Sequence, residues 1–87
     1  MSVTYDDIVN ARETQNDVIR KTSLTFSDTF TQLTGSIVYL KNEFEQKTGS
    51  FKLRGAYYKI KTLSEEERSN GVVAASAGNH AQGVAFA

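Results

Sequence analysis

Two cations, Lys52 and Arg54, lie in a stretch suited to the start of a helix, because residues 48–56 read TGSFKLRGA. Ser50 can cap this helix with its hydroxyl, and Gly49 allows a sharp turn just before it. Lys52 then falls in the first helical turn, where the helix dipole disfavours positive charge. Together with some burial, that field favours the neutral amine, the nucleophile that forms a Schiff base with an aldehyde. The alternative is a solvated surface lysine.

A second unusual stretch, residues 76–80, directly follows an apolar run and reads SAGNH. Its small residues let backbone N–H groups approach a ligand, and the helix that begins at Asn79 or His80 favours an anion such as a carboxylate or phosphate. Asn79 is either a ligand or a plain helix cap. His80, the only histidine, is either catalytic or a hydrogen-bonded structural residue. No second ligand is spaced to join it, so we predict no metal site.

The two stretches alternate with segments typical of buried strands. Residues 36–41 and 72–76 are apolar runs that suit strands covered on both faces. The helix between them has its apolar positions at Leu53, Ala56, Tyr57 and Ile60. Strand, helix, strand, helix is a βαβ pattern, which predicts an α/β fold with a parallel sheet. Ligands bind beyond the carboxyl ends of such strands, so both stretches are predicted to face one crevice.

Local signals predict three further helices. The first is capped by Asp6 or Asp7 and runs to about residue 15. The second is capped by Ser27 or Asp28 and ends at Gly35. The third opens with a capping box in residues 64–67. Residues 18–26 are predicted to be extended or irregular. Gly55 lies inside the helix that starts near Ser50, where it costs about 1 kcal/mol against alanine and predicts close backbone packing.

Composition bounds the chain to one small unit with 87 residues and a formal net charge of zero. The balanced charge gives no argument for a nucleic-acid partner or an anionic membrane surface. There is no cysteine, hence no disulfide framework, and no apolar run approaches the roughly 20 residues that span a bilayer. We therefore expect a cytoplasmic location, no nucleic acid and no membrane partner.

Residues 48–56 together with residues 74–83, which read AASAGNHAQG, closely resemble the N-terminal part of the threonine dehydratase (threonine ammonia-lyase) family. These are fold-type II pyridoxal-phosphate enzymes of the tryptophan synthase β-like class, related to serine dehydratase and serine racemase. The resemblance extends loosely over nearly the whole chain. It implies that residues 1–87 are an N-terminal fragment of a catalytic domain whose remainder is absent, with an incomplete parallel βαβ unit.

The resemblance also implies roles for individual residues. Lys52 looks like the lysine that binds pyridoxal 5'-phosphate covalently and then removes the α-proton, Phe51 lies beside the cofactor, and Asn79 bonds its 3-hydroxyl. The loop that grips the substrate carboxylate looks like Ser76, Ala77, Gly78 and His80. The implied reaction converts L-threonine to 2-oxobutanoate and ammonia, and L-serine to pyruvate and ammonia. The parent enzyme is expected to be a homo-oligomer.

One position and two short segments distinguish this chain within the resemblance. Serine racemases carry a serine where this chain has Ala77, and alanine cannot donate a proton, which favours dehydration over racemisation. The family's usual Thr-Pro-Leu stands here as Thr-Ser-Leu at residues 22–24, and its usual Leu-Glu-Asn-Leu-Gln as Asn-Glu-Phe-Glu-Gln at residues 42–46.

Several interpretations of the chain follow. We expect it to be inactive alone, because the Gly-rich loop that binds the cofactor phosphate has no counterpart in it. The alternatives are a truncated binding or regulatory module, a serine racemase-like enzyme, and a decayed homologue with no folded role.

Overall fold

The computed structural model describes residues 2–87. In chain order its elements are α1 (Tyr5–Gln15), β1 (Leu24–Phe26), α2 (Asp28–Thr34), β2 (Tyr39–Lys41), a 3-10 turn (Glu43–Glu45), α3 (Lys52–Thr62), α4 (Glu65–Ser69) and α5 (Asn79–Phe86). None of the helices in residues 2–87 is both long and apolar enough to span a membrane. The radius of gyration is 15.8 Å, against about 12 Å for a compact domain of this length. The chain is therefore extended, with little interior.

Helix ends follow local sequence signals at most positions. Ser27 caps α2 and Gly35 ends it in the left-handed conformation with φ 71°, as predicted. The predicted capping box before α4 is also present. The prediction that an aspartate caps α1 is wrong: Thr4 is the cap, and Asp7 is the third helical residue that completes a capping box with it. The Thr4 hydroxyl accepts the Asp7 N–H, so the helix begins two to three residues before the point where an aspartate cap would start it.

The sheet contains two antiparallel strands, with Leu24 opposite Lys41 and Phe26 opposite Tyr39. Within residues 2–87 there is no parallel pair, so the predicted parallel ladder between residues 36–41 and 72–76 is not formed. Only the second half of the first run is a strand, and it is exposed, while residues 72–76 are unpaired and exposed. A strand buried on both faces needs a neighbour on each edge and helices on each face. This stretch of chain does not supply them.

The apolar centre lies where α3 packs on α5. Leu53 is fully buried and Ala56 nearly so, and both lie on the predicted face of α3. Gly83 of α5 is buried against them, and a Cβ placed there would lie 3.2 Å from the Lys52 carbonyl oxygen and 3.3 Å from the Leu53 Cα. The prediction that Gly55 marks close packing is wrong, because it faces solvent with nothing within 4 Å of an added Cβ. The packing glycine is Gly83.

The two glycines give a matched pair of variants. Gly83→Ala inserts a methyl group against backbone atoms that cannot move independently, so we expect a loss of about 1–3 kcal/mol of unfolding free energy. Gly55→Ala adds the same methyl group in open space and should stabilise the chain by about 0.5–1 kcal/mol. Urea unfolding followed by circular dichroism measures both. Equal effects of the same sign would contradict the packing described here.

A polar cluster fixes the other side of α3. The guanidinium of Arg54 makes two bonds to the Glu43 carboxylate, Nε to Oε2 at 2.9 Å and Nη2 to Oε1 at 2.7 Å. The buried Thr22 donates its hydroxyl to Glu43 at 2.7 Å. Gln46, also buried, accepts from the Arg20 N–H at 2.8 Å and donates to its carbonyl at 3.0 Å. The 3-10 turn is thereby joined to both α3 and the segment before β1.

Two of the positions that depart from the family's usual residues contact each other. Ser23 stands where the family has proline, and it donates both its backbone N–H and its hydroxyl to Glu45, which stands where the family has leucine. Asn42, another departure, donates its side-chain amide to Ser23 at 2.8 Å. Proline has no N–H and leucine has no side-chain acceptor, so these two residue types could not make the same bonds. The side chains of the three departures therefore satisfy one another in this chain.

The Glu43 pair makes stability depend on pH. The hydrogen bonds from Arg54, followed by that from Thr22, lower the pKa of Glu43 from 4.5 to about 2. A depressed folded-state pKa contributes stability above the unfolded value of 4.5, and this contribution is lost as pH falls towards 2. Because the Arg54 side chain is 36% exposed, solvent screens the pair, and we expect about 1–2 kcal/mol at neutral pH.

Comparing wild type with Glu43→Gln tests this contribution, since all other carboxylates are common to both chains. Unfolding free energies measured from pH 7 to pH 2 should differ most at neutral pH and converge between pH 4.5 and about 2. A difference that stays constant over this range would contradict the assignment.

Candidate active site

Lys52 begins α3, and the chain reaches it through a left-handed turn at Gly49 with φ 78°. The predicted cap at Ser50 is wrong. Phe51 occupies the cap position and makes no side-chain hydrogen bond to the helix. The Lys52 side chain is exposed, so the predicted burial does not contribute to its chemistry. The amine points into solvent from the first turn of a helix.

Two hydroxyls just before this lysine are buried without hydrogen-bond partners. They are Oγ1 of Thr48 and Oγ of Ser50, on either side of Gly49. A buried hydroxyl left unsatisfied costs about 1–3 kcal/mol, so proteins rarely keep one without a reason. The loop that leads to Lys52 therefore holds two hydroxyl groups that no polar atom within residues 2–87 satisfies.

The second turn is held by Ser76. Its hydroxyl oxygen accepts hydrogen bonds from the backbone N–H groups of Gly78 at 3.0 Å and Ala81 at 3.1 Å. α5 begins at Asn79 as predicted, but Asn79 is its first residue and not its cap. The capping interpretation of Asn79 is therefore wrong, because Ser76 satisfies a first-turn N–H instead. The side chains of Asn79 and His80 are exposed.

The two stretches come together through a contact between helices and not at the edge of a sheet. Gly83 lies against the Lys52 carbonyl and the Leu53 backbone, and Asn79 is four residues earlier on the same face of α5. The first turn of α3 thus packs against the middle of α5, one helical turn after Asn79. Lys47, in the loop before α3, adds a second link, with its Nζ 5.7 Å from the centre of the Phe86 ring.

His80 lies in a different setting from the other candidates. It lines a cleft of about 490 Å³ between α3 and the unpaired run before α5, together with Ala56, Ile60, Val72 and Ala74. The cleft walls are mainly apolar, so His80 is a polar group at the rim of an apolar space. Within residues 2–87 no three His, Asp or Glu side chains cluster in a way that could hold a metal ion.

Sequence reasoning missed the partners of Arg54. Glu43 and Gln46 appear in it only as parts of a divergent segment, yet in the structure Glu43 bonds Arg54 of α3 and Gln46 bonds the Arg20 backbone. The available signal was that Glu43 and Gln46 are the two positions of residues 42–46 that keep the family's usual types. The partner of Glu43 could not be identified from spacing, because Arg54 lies eleven residues along the chain.

The sequence is similar to proteins of known activity. The L-threonine ammonia-lyase of Thermotoga maritima is 59% identical over 85 residues, which cover 98% of this chain and 21% of that protein. The biosynthetic L-threonine dehydratase of Lactococcus lactis and the catabolic one of Escherichia coli are 49% and 44% identical, with 20% and 26% of their lengths covered. The chain thus spans about a fifth to a quarter of the curated relatives it matches.

Solved structures give the same result for the fold. Maize serine racemase superposes with a TM-score of 0.84 at 35% identity, over 98% of this chain and 27% of that one. Threonine deaminase isoform 2 from Solanum lycopersicum gives 0.70 at 38% identity, over 98% and 25%. These neighbours are fold-type II enzymes, which confirms the predicted α/β class. The family model described as "Pyridoxal-phosphate dependent enzyme" matches residues 16–87. Because this match covers most of the sequence, the chain belongs to the family of pyridoxal-phosphate dependent enzymes.

Proposed function

We propose that this chain supplies the N-terminal part of an enzyme that dehydrates and deaminates L-threonine and L-serine with pyridoxal 5'-phosphate. The observation that carries the proposal is the direct contact between the first turn of α3, which bears Lys52, and α5, whose preceding turn bears Ser76. The named activities of the relatives support it. Biosynthetic and catabolic enzymes both match, so the proposal specifies a reaction and leaves the pathway open.

The residues present fit such a cofactor. The unpartnered hydroxyls of Thr48 and Ser50 offer donors beside the lysine, and Lys52 offers an exposed amine. On this proposal Lys52 holds the cofactor, Phe51 lies beside it and Asn79 bonds its ring hydroxyl. The bound cofactor supplies an electron sink for the α-carbon, while the protein supplies position and charge.

The chain's own residues would then act on the substrate. The Lys52 amine is proposed to take the α-proton, and the turn of Ser76, Ala77, Gly78 and His80 to bind the substrate carboxylate. Both lone pairs of the Ser76 oxygen already accept backbone N–H bonds, so its hydroxyl proton is left to donate to a carboxylate. The start of α5 adds a favourable field for that negative charge.

Elimination is favoured over racemisation by one side chain. The serine racemase fold superposes well on this chain, which makes racemisation the second candidate. A racemase needs a proton donor on the face opposite Lys52, and Ala77 has no proton to give. A cytoplasmic location and a homo-oligomeric parent enzyme belong to the same proposal and rest on the resemblance to metabolic enzymes.

Selective cofactor labelling tests the proposal. Incubation with pyridoxal 5'-phosphate, borohydride reduction and peptide mapping should place most of the label on Lys52, with none at that position in Lys52→Ala. The matched control is Lys61→Ala, which removes an exposed lysine from the last turn of the same helix. Label spread evenly over Lys41, Lys47, Lys59 and Lys61 would overturn the specific role of Lys52.

The partition of L-serine tests the choice between elimination and racemisation. For any enzyme that contains this sequence, we expect pyruvate to form faster than D-serine by at least about tenfold, because the second proton donor is lacking. Chiral chromatography and a coupled 2-oxo acid assay measure the two products. D-serine as the main product would identify a racemase.

A further inference from the structure

The loop that delivers Lys52 is held at both ends by one short turn. Gln46, the residue that follows the 3-10 turn, bonds the Arg20 backbone through both its side-chain oxygen and nitrogen. Glu43, three residues earlier, holds the Arg54 guanidinium in two parallel bonds. Lys52 lies between these anchors, two residues before Arg54. The loop also closes on itself, since the Gly49 N–H donates to the Gln46 carbonyl at 2.8 Å.

Arg54 is fixed through its main chain as well as its side chain. The Gln15 side-chain amide of α1 donates to the Arg54 carbonyl, so α1 and the 3-10 turn hold the same residue. The ion pair with Glu43 is the only one within residues 2–87, and Lys52 has no carboxylate partner there. Consecutive turns of a helix form a rigid unit. Immobilising Arg54 therefore immobilises the Lys52 backbone.

We propose that Glu43 is a positioning residue for Lys52, acting through Arg54 to fix the first turn of α3 from which the lysine side chain extends. This inference rests on the proposed function of Lys52. The geometry needs both bonds of the fork, because one bond would let the guanidinium, and with it the turn, rotate. Glu43 touches neither a substrate nor Lys52 itself, so its effect is transmitted by the helix.

The experiment compares the wild-type chain with Glu43→Gln, which keeps the shape of the side chain and removes its charge. Glu45→Gln is the matched control, because it makes the same change in the same turn but bonds Ser23 and not Arg54. Three readouts are taken on each chain. They are amide hydrogen exchange at Gly49 and Arg54, the yield of pyridoxal 5'-phosphate label on Lys52 after borohydride reduction, and the acetylation of Lys52 by acetic anhydride.

In Glu43→Gln we expect amide exchange at the two sites to rise by about tenfold, because a charged bidentate bond is lost. The label on Lys52 should fall by about fivefold or more relative to Lys61, because a displaced amine is no longer held in position to react with the cofactor aldehyde. Acetylation of Lys52 by acetic anhydride needs only access and should stay within about twofold. Glu45→Gln should leave all three values near those of wild type.

Unchanged exchange in Glu43→Gln would overturn the inference, as would raised exchange with unchanged Lys52 labelling, which would make Glu43 merely structural. If Glu43→Gln does not fold by circular dichroism, Arg54→Lys replaces it, because lysine keeps the charge but cannot make the fork. It should show the same loss of label in a folded chain. Scattered label in wild type would overturn the proposed function instead, and the exchange data would still decide whether Glu43 holds the turn.

Discussion

The close approach of α5 to the start of α3 is the contact on which the rest of the arrangement depends. It is possible only because Gly83 has no side chain, so that backbone faces backbone at the first turn of α3. Helices that meet this closely have little freedom to slide or rotate. The contact thus sets where the Ser76 turn lies relative to Lys52, although neither residue takes part in it through its side chain.

The two faces of α3 are held by different interactions, apolar burial on one and hydrogen bonds on the other. One face buries Leu53 and Ala56 against α5, and the other carries Arg54 into a cluster of polar groups. The buried polar residues within residues 2–87 are Gln15, Thr22 and Gln46, and each belongs to that cluster or adjoins it. Apolar burial is nondirectional, whereas hydrogen bonds to a charged fork fix orientation. The polar side therefore fixes the orientation of α3, and the small apolar side mainly stabilises its packing on α5.

How far the sequence predicts this structure depends on whether a feature is local. The Ser27 and Gly35 signals of α2, the capping box before α4 and the apolar face of α3 depend on neighbours within one turn, and all are present. Features that need a distant partner were missed or misplaced. Periodicity places Gly55 inside a helix but does not say which glycine meets another backbone, and apolar content does not supply residues 72–76 with a neighbouring strand.

The candidate site divides in the same way. Residue types and spacing identify Lys52 and the turn before α5. The bonds that Ser76 accepts from Gly78 and Ala81, and the pairing of Glu43 with Arg54, depend on contacts that the chain makes only when folded. Resemblance adds the chemical context that spacing lacks. Resemblance does not show which side chains already make hydrogen bonds within the chain.

The bond between Ser23 and Glu45 has a consequence for exchanging segments with relatives. A chimera joined between these positions would combine proline with glutamate, or serine with leucine, wherever the relative keeps the family's usual residues. The first leaves a carboxylate without its donors and the second leaves an N–H without its acceptor. Residues 23–45 should therefore be exchanged together, because a junction outside this segment preserves the Ser23–Glu45 bonds and a junction inside it breaks them.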